Sequence, residues 1–276
     1  MTDQVVLYEA RDGIAHIRLN RPRVHNALSP ESIRALARTW QRFALDRTAR
    51  VGILSGEGES FCSGRDMKLT DLGFGRRRSA KTASAGDEPP DDEWTSVPCE
   101  RRRINYVPPP SLAKPLIAAI QGVALGGGLE LALACDIRIA ATGSRMGLPE
   151  VCRGLVSGSG GLYWLPRIIG LGPAMELLLT GRMIDAEEAR ALRLVNRLVE
   201  PADLMPTAEA LARQITQNPP LAVQAVKEAI RRTLGAGLEE ALNVSEHMNR
   251  VLQLSEDAKE GARAFEEKRP PRYRGR

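Results

Sequence analysis

Two carboxylates stand where carboxylates are costly. Glu130 interrupts the apolar run "GLELALACD", and Glu150 follows Pro149 in "MGLPEVCRGL". A charge among leucines or in an apolar loop asks for a partner or a purpose. Two glutamates facing one cavity can divide acid and base work, because burial or mutual repulsion raises one pKa while the other group stays ionised. Taken singly, each could equally be a cap or a surface loop residue. Their separation of 20 residues does not by itself bring them together.

Beside Glu130 stand Gly126, Gly127 and Gly128, where "LELALA" should begin a helix. Each glycine inside a helix costs about 1 kcal/mol against alanine. A helix that starts on glycines brings its free N–H groups close to a ligand, with the positive end of the helix dipole behind them. That suits an oxygen that turns negative during a reaction. A tight strand-to-helix turn is the plainer use of the same glycines. A second glycine-rich stretch, "GEGESFCSGRDMK" at 56–68, follows the apolar run "VGILS" and offers another N–H near the residue after Gly64. An oxyanion hole requires two such donors from separate loops.

The elements that must carry these groups alternate between strand and helix. "VVLYEARDGIAHIRLNRP" reads as a β-hairpin turning at 11–13. "SPESIRALARTWQRFALD" reads as a helix with Ser29 as N-cap and Pro30 at its first position. Its Ile33, Leu36, Ala37, Trp40 and Ala44 share a face. "VGILSG", "PLIAAIQG" and "IRIAATG" read as buried strands, which predicts an α/β protein with largely parallel pairing. Helices dominate from Pro173. Asp185 should cap a helix through "AEEARALRLVNRLVE", and three more helical runs follow Pro201 and end near Lys268. Their apolar stripes suit packing against a neighbouring subunit or against the chain's own core. Residues 69–110, including "GFGRRRSAKTASAGDEPPDDEW", read as a polar surface loop.

Composition narrows the function. The 276 residues are 43% hydrophobic, enough for a sizeable core, and only 4% aromatic, which argues against a module that stacks bases. The net charge of +5 gathers in short arginine clusters and in the tail "EKRPPRYRGR". Those clusters are solvated surface or attract a phosphate-bearing ligand, and nucleic acid is not the favoured partner. Cys62, Cys99, Cys135 and Cys152 form no C-x-x-C pair and read as thiols in a reducing compartment. The start "MTDQVVLYEA" lacks a signal-peptide pattern, and 115–135 splits into strand, turn and helix rather than one span. A cytoplasmic protein without membrane association is expected. His16 should point outward from its strand, and none of the three histidines receives a catalytic role. Asp136 reads as structural.

Taken in order, "NRPRVHNALS" (20–29), "GEGESFCSGRDMK" (56–68), "KPLIAAIQGVALGGGLELALACDIRIA" (114–140), "GLPEVCRGLVSGSGGLYWLPRIIG" (147–170) and "FEEKRPP" (265–271) resemble the crotonase superfamily, the enoyl-CoA hydratase/isomerase family. The resemblance implies a crotonase-type α/β spiral of ββα repeats over 1–200, with 69–110 as a variable loop. It also implies a helical trimerisation region over 201–276, and so a homotrimer or dimer of trimers. The implied substrate is an acyl-CoA thioester, with no metal or redox cofactor, since coenzyme A belongs to the substrate. The implied oxyanion hole uses the N–H groups of Arg65 and Gly127, and the arginine departs from the small residue often found at that position. Glu130 would act as the base for water and Glu150 would give a proton to the α-carbon, or the pair would share these tasks. Ala27, Asp66, Met67 and Lys68 would lie along the coenzyme, with Phe265 and Lys268 reaching its nucleotide, in the family often that of a neighbouring subunit. Leu148, Leu72 or Trp94 would border the acyl pocket.

These expectations favour reversible hydration of a 2-enoyl-CoA to a 3-hydroxyacyl-CoA by a hydro-lyase. A family isomerase or a specialised acyl-CoA lyase is the alternative within enzymes. An RNA-binding or scaffold member of the fold is the alternative outside them.

Overall fold

The computed structural model describes residues 4–68 and 106–276. The expectations for Leu72, Trp94, Cys99 and most of the 69–110 loop therefore lie outside the described residues.

The chain opens as expected with a hairpin, β1 (Val6–Arg11) and β2 (Ile14–Leu19), paired antiparallel. Helix α1 (Pro30–Leu45) follows, and the Ser29 hydroxyl caps it by accepting from the Ser32 N–H at 3.1 Å. Strand β3 (Val51–Gly56) then pairs in parallel with β2. After the undescribed segment come β4 (Leu116–Ile120), β5 (Val123–Leu125), α2 (Gly127–Ala134), β6 (Ile137–Ala141) and β7 (Arg145–Gly147). Helices α3 (Gly161–Ile169) and α4 (Leu171–Thr180) precede β8 (Ile184–Asp185), α5 (Ala186–Ala191) and β9 (Arg197–Val199). Four helices close the chain: α6 (Leu204–Thr216), α7 (Pro220–Thr233), α8 (Leu238–Gln253) and α9 (Glu256–Glu266).

The main sheet runs β1-β2-β3-β4-β6-β9, parallel from β2 onward, and a second sheet runs β5-β7-β8. The period-two rule sorts the main sheet into two faces. Val51, Ile53, Ile117 and Ile139 face α6, where they meet Leu204, Ala208 and Ala212. Leu54, Leu116, Ala118 and Ile120 face the larger core with Leu36, Trp40 and Phe43 of α1 and Leu131 of α2. Strands buried on both faces read as continuous apolar runs, which is why "VGILSG" and "PLIAAIQG" were legible.

Three local readings need correction. The stretch "AEEARALRLVNRLVE" is helical only over α5; Arg193 takes a positive φ of 61°, and the chain turns to add β9 to the open edge of β6. Edge pairing satisfies a row of backbone groups that a longer helix would leave exposed on β6. Four helices, not three, follow Pro201, because Gly235 and Gly237 and then Ser255 interrupt the expected runs. His16 is buried at 7% exposure because α6, distant in sequence, covers its face and sets Glu209 4.0 Å from its Nε2.

Asp136 is structural, as expected. Its carboxylate accepts from the Leu116 N–H at 2.7 Å, from Lys227 Nζ at 2.7 Å and from Arg231 at 3.2 Å, which ties α7 to the strands beneath α2. Lys227 also donates to the Lys114 carbonyl at 2.6 Å, so its buried ammonium is doubly partnered. Among the described residues, no helix is long and apolar enough to cross a membrane.

The glycines at the start of α2 serve packing before chemistry. A Cβ on Gly128 would lie 2.1 Å from the Cys62 carbonyl oxygen, a backbone atom that cannot rotate away. Helix propensity alone makes Gly128→Ala stabilising by about 1 kcal/mol. The clash predicts the opposite sign, a loss of about 3 kcal/mol in urea unfolding. A variant as stable as the parent would show that α2 does not sit this close to the 56–68 loop.

Candidate active site

The two glycine-rich loops meet. Gly64, at φ +90°, is so close to the turn before α2 that a Cβ there would lie 2.6 Å from the Leu125 carbonyl oxygen and 3.4 Å from the Gly127 nitrogen. The "NRPRVHNALS" segment holds the first loop in place. The Leu28 N–H donates to the Gly64 carbonyl at 2.7 Å, and the Asp66 N–H donates to the Leu28 carbonyl at 3.0 Å. This alternation leaves the Arg65 N–H pointing away from Leu28. Gly127, as the first residue of α2, has no carbonyl one turn earlier in the helix to receive its N–H. Among the described residues, neither N–H is used in hydrogen bonding within the protein.

Two side chains clamp this arrangement. Arg21 donates to the Ala27 carbonyl at 2.5 Å and to Asp66 Oδ2 at 3.0 Å. Asn26 is buried with a positive φ of 55°, a conformation asparagine tolerates, and its amide donates to the carbonyls of Glu57 and Ser60. Asp66, expected beside the coenzyme, is thus bonded to Arg21, while the Arg65, Met67 and Lys68 side chains are exposed around it. Ala27 is buried.

Glu130 lies in the first turn of α2, 3% exposed, and both oxygens of its carboxylate accept hydrogen bonds. Oε1 accepts from the Ser159 N–H at 2.6 Å and from the Gly161 N–H at 3.0 Å. Oε2 accepts from the Tyr106 hydroxyl at 2.5 Å. Charge-assisted bonds of this length are what a buried carboxylate needs to offset its lost hydration.

Glu150 sits in the 3-10 turn Pro149–Arg153, and its Oε1 lies 3.2 Å from where a Cβ on Gly126 would stand. The glycine that caps α2 therefore leaves space for this carboxylate, one turn from Glu130. Burial pushes the Glu150 carboxyl above the ordinary glutamate range, and the Glu130 charge adds to the rise; backbone, Ser157 and Arg153 oppose it in part. The Ser157 hydroxyl faces it without reaching hydrogen-bond geometry. Among the described residues, Glu150 Oε2 and Ser157 Oγ are buried without a hydrogen-bond partner.

A buried carboxylate held by three hydrogen bonds, a second carboxyl that burial pushes above the ordinary glutamate range and, among the described residues, two N–H groups without a partner on adjoining loops define the site. The sequence model for enoyl-CoA hydratase/isomerase matches residues 9–276. The chain belongs to the enoyl-CoA hydratase/isomerase family. It is 41% identical to the (E)-benzylidenesuccinyl-CoA hydratase of Thauera aromatica, over 98% of this chain and 99% of that one. It is 36% identical to the short-chain-enoyl-CoA hydratase of Clostridium acetobutylicum, over 96% and 95%. The crystal structure of an enoyl-CoA hydratase from Mycobacterium marinum superposes with a TM-score of 0.84 at 44% identity, covering 99% of this chain and 100% of that one. The crotonase-type α/β fold with a helical C-terminal region is the architecture observed.

Not every residue carried over from the family is brought to this site. Phe265 is 87% exposed on α9, and Lys268 follows that helix with a positive φ of 51°. Among the described residues, no hydrogen bond or ion pair links either to the loops around Glu130. Leu148 is buried and packs beside Gly161.

Sequence reasoning missed Arg21, Tyr106 and the N–H pair of Ser159 and Gly161. The last had a signal: "SGSGG" before a helix is a glycine-started N-terminus like the one before α2. Tyr106 had none, since it closes a polar stretch whose path no periodicity reveals.

The Glu150 shift has a measurable sign. The folded protein holds this proton more tightly than the unfolded chain does. Glu150 therefore favours folding below the ordinary glutamate range, and that contribution is lost as pH rises through the shifted value. Glu150→Gln removes the titration, so its urea midpoint should gain on the parent as pH rises from about 4 to about 8. A constant difference across that range would place Glu150 in ordinary solvent.

Proposed function

We propose that this protein catalyses the reversible hydration of a 2-enoyl-CoA thioester to a 3-hydroxyacyl-CoA. The observation that carries the reading is the convergence of Glu130 and Glu150 on the glycine start of α2. The hydratase names borne by the relatives support it.

In this reading the thioester oxygen sits on the Arg65 and Gly127 N–H groups, aided by the positive end of α2. Water bonds to the β-carbon and gives its proton to Glu130, while the π electron pair moves through the α-carbon onto the thioester oxygen as an enolate. The enolate then collapses, and the α-carbon takes the proton held by Glu150. One water is added across the double bond, and exchange of protons through solvent resets the pair. A carboxyl whose proton affinity is raised suits the donor role. A carboxylate fixed by three hydrogen bonds suits the role of orienting water. The chemistry draws only on water, side chains and backbone, with coenzyme A as part of the substrate.

The reading extends to ligand and assembly. Ala27, Asp66, Met67 and Lys68 border the coenzyme, and Phe265 and Lys268 serve its nucleotide from the surface of a neighbouring copy. Exposed Val226, Ile230, Leu234, Leu238, Leu242, Val251 and Leu254 on or beside α7 and α8 support a homotrimer or dimer of trimers, since such apolar exposure is rarely left to water.

Loss of enoyl absorbance with crotonyl-CoA and a longer 2-enoyl-CoA tests the reading. Glu130→Gln and Glu150→Gln should each lower kcat by about 10²- to 10⁴-fold while KM moves only a few-fold. Full hydration by either variant, or migration of the double bond in place of hydration, would overturn it.

A further inference from the structure

The geometry points to Tyr106 as a positioning residue for the hydration, holding Glu130 and the attacking water through its phenolic oxygen. This rests on the hydratase reading and deepens it.

Three observations place the phenol in the site. Its hydroxyl donates to Glu130 Oε2 at 2.5 Å. The same oxygen is 2.7 Å from where a Cβ on Gly127 would lie, so it stands over the residue assigned to the oxyanion hole. The backbone beneath it is fixed, because the indole of Trp40, buried on α1, donates to the Tyr106 carbonyl at 2.7 Å.

The hydrogen-bond inventory gives the function. Glu130 Oε1 is occupied by the Ser159 and Gly161 N–H groups, so only Oε2 can receive a proton from water. Tyr106 takes one lone pair of Oε2 and leaves the other. Its own oxygen, which the Ser159 hydroxyl approaches on one side, keeps one further lone pair for a donor. A water bound between Oε2 and the phenolic oxygen has both hydrogens engaged and a lone pair left for the β-carbon. Burial and the neighbouring carboxylate push the phenol well above its usual range, against a small opposing effect of the Ser159 hydroxyl. The phenol therefore remains protonated and does not compete with Glu130 as a base. Without Tyr106, Oε2 is positioned only through the two bonds to Oε1, and the water loses one acceptor.

The test is a double-mutant cycle in the full chain with crotonyl-CoA, run at high enzyme concentration. Tyr106→Phe keeps the ring and the carbonyl that Trp40 holds, so the variant should fold, with a thermal midpoint only a few degrees below the parent's for the lost donor. Its kcat should fall about 10- to 100-fold, as for a lost bond to a charged group, with KM within about two-fold. In the Glu130→Gln background the same change should cost less than about two-fold, because Tyr106 acts through Glu130. A parent-like kcat in Tyr106→Phe, or an equal loss in both backgrounds, would overturn the role of Tyr106 while leaving the hydratase reading intact. A parent protein that hydrates no 2-enoyl-CoA would overturn both.

Discussion

Everything around the site follows from one costly choice, the burial of the Glu130 carboxylate. An ionised carboxylate without partners is not tolerated in a protein interior, because desolvation outweighs what packing returns. The fold answers with three donors from two distant places: the N–H groups of Ser159 and Gly161 at the start of α3, and the hydroxyl of Tyr106 before β4. Each donor must be held to within a few tenths of an ångström. The loops that carry them are accordingly fastened to secondary structure, by the Trp40 indole in one case and by the glycine-started turn of α3 in the other.

The same economy shapes the opposite wall. Helix α2 is buried along its whole length, so its glycine end cannot retreat from the 56–68 loop. Gly64 and Gly128 permit backbone to meet backbone there, and the Arg21–Asp66 pair with the Asn26 amide keeps the loop from spreading. The outcome is a pair of N–H groups unengaged among the described residues, beside two carboxylates of unlike character. One carboxylate is held by three hydrogen bonds; the other is partly desolvated, with its Oε2 lacking a hydrogen-bond partner among the described residues. That asymmetry suits a site that must both orient water and supply a proton.

Much of this was legible in the sequence, because it was written in local patterns. Strands buried on both faces appear as apolar runs, Ser29 and Asp185 announce their helices, and the three glycines before Glu130 mark a close approach. The illegible parts depend on long-range contacts. His16 is inward because α6 arrives from nearly two hundred residues later, and β9 replaces a helix because β6 has an open edge. Tyr106 and Arg21 carry no periodicity or motif of their own. Their importance comes from what the fold sets opposite them. Phe265 and Lys268, placed by family resemblance, stay outside the Glu130 cluster within one chain.

The most direct test of the central claim is a crystal structure with a 3-ketoacyl-CoA, a thioester that cannot be hydrated. The thioester oxygen should lie about 2.7–3.1 Å from the Arg65 and Gly127 nitrogens, with the C3 oxygen between Glu130 and Glu150. A thioester carbonyl bound away from those two N–H groups would contradict that claim.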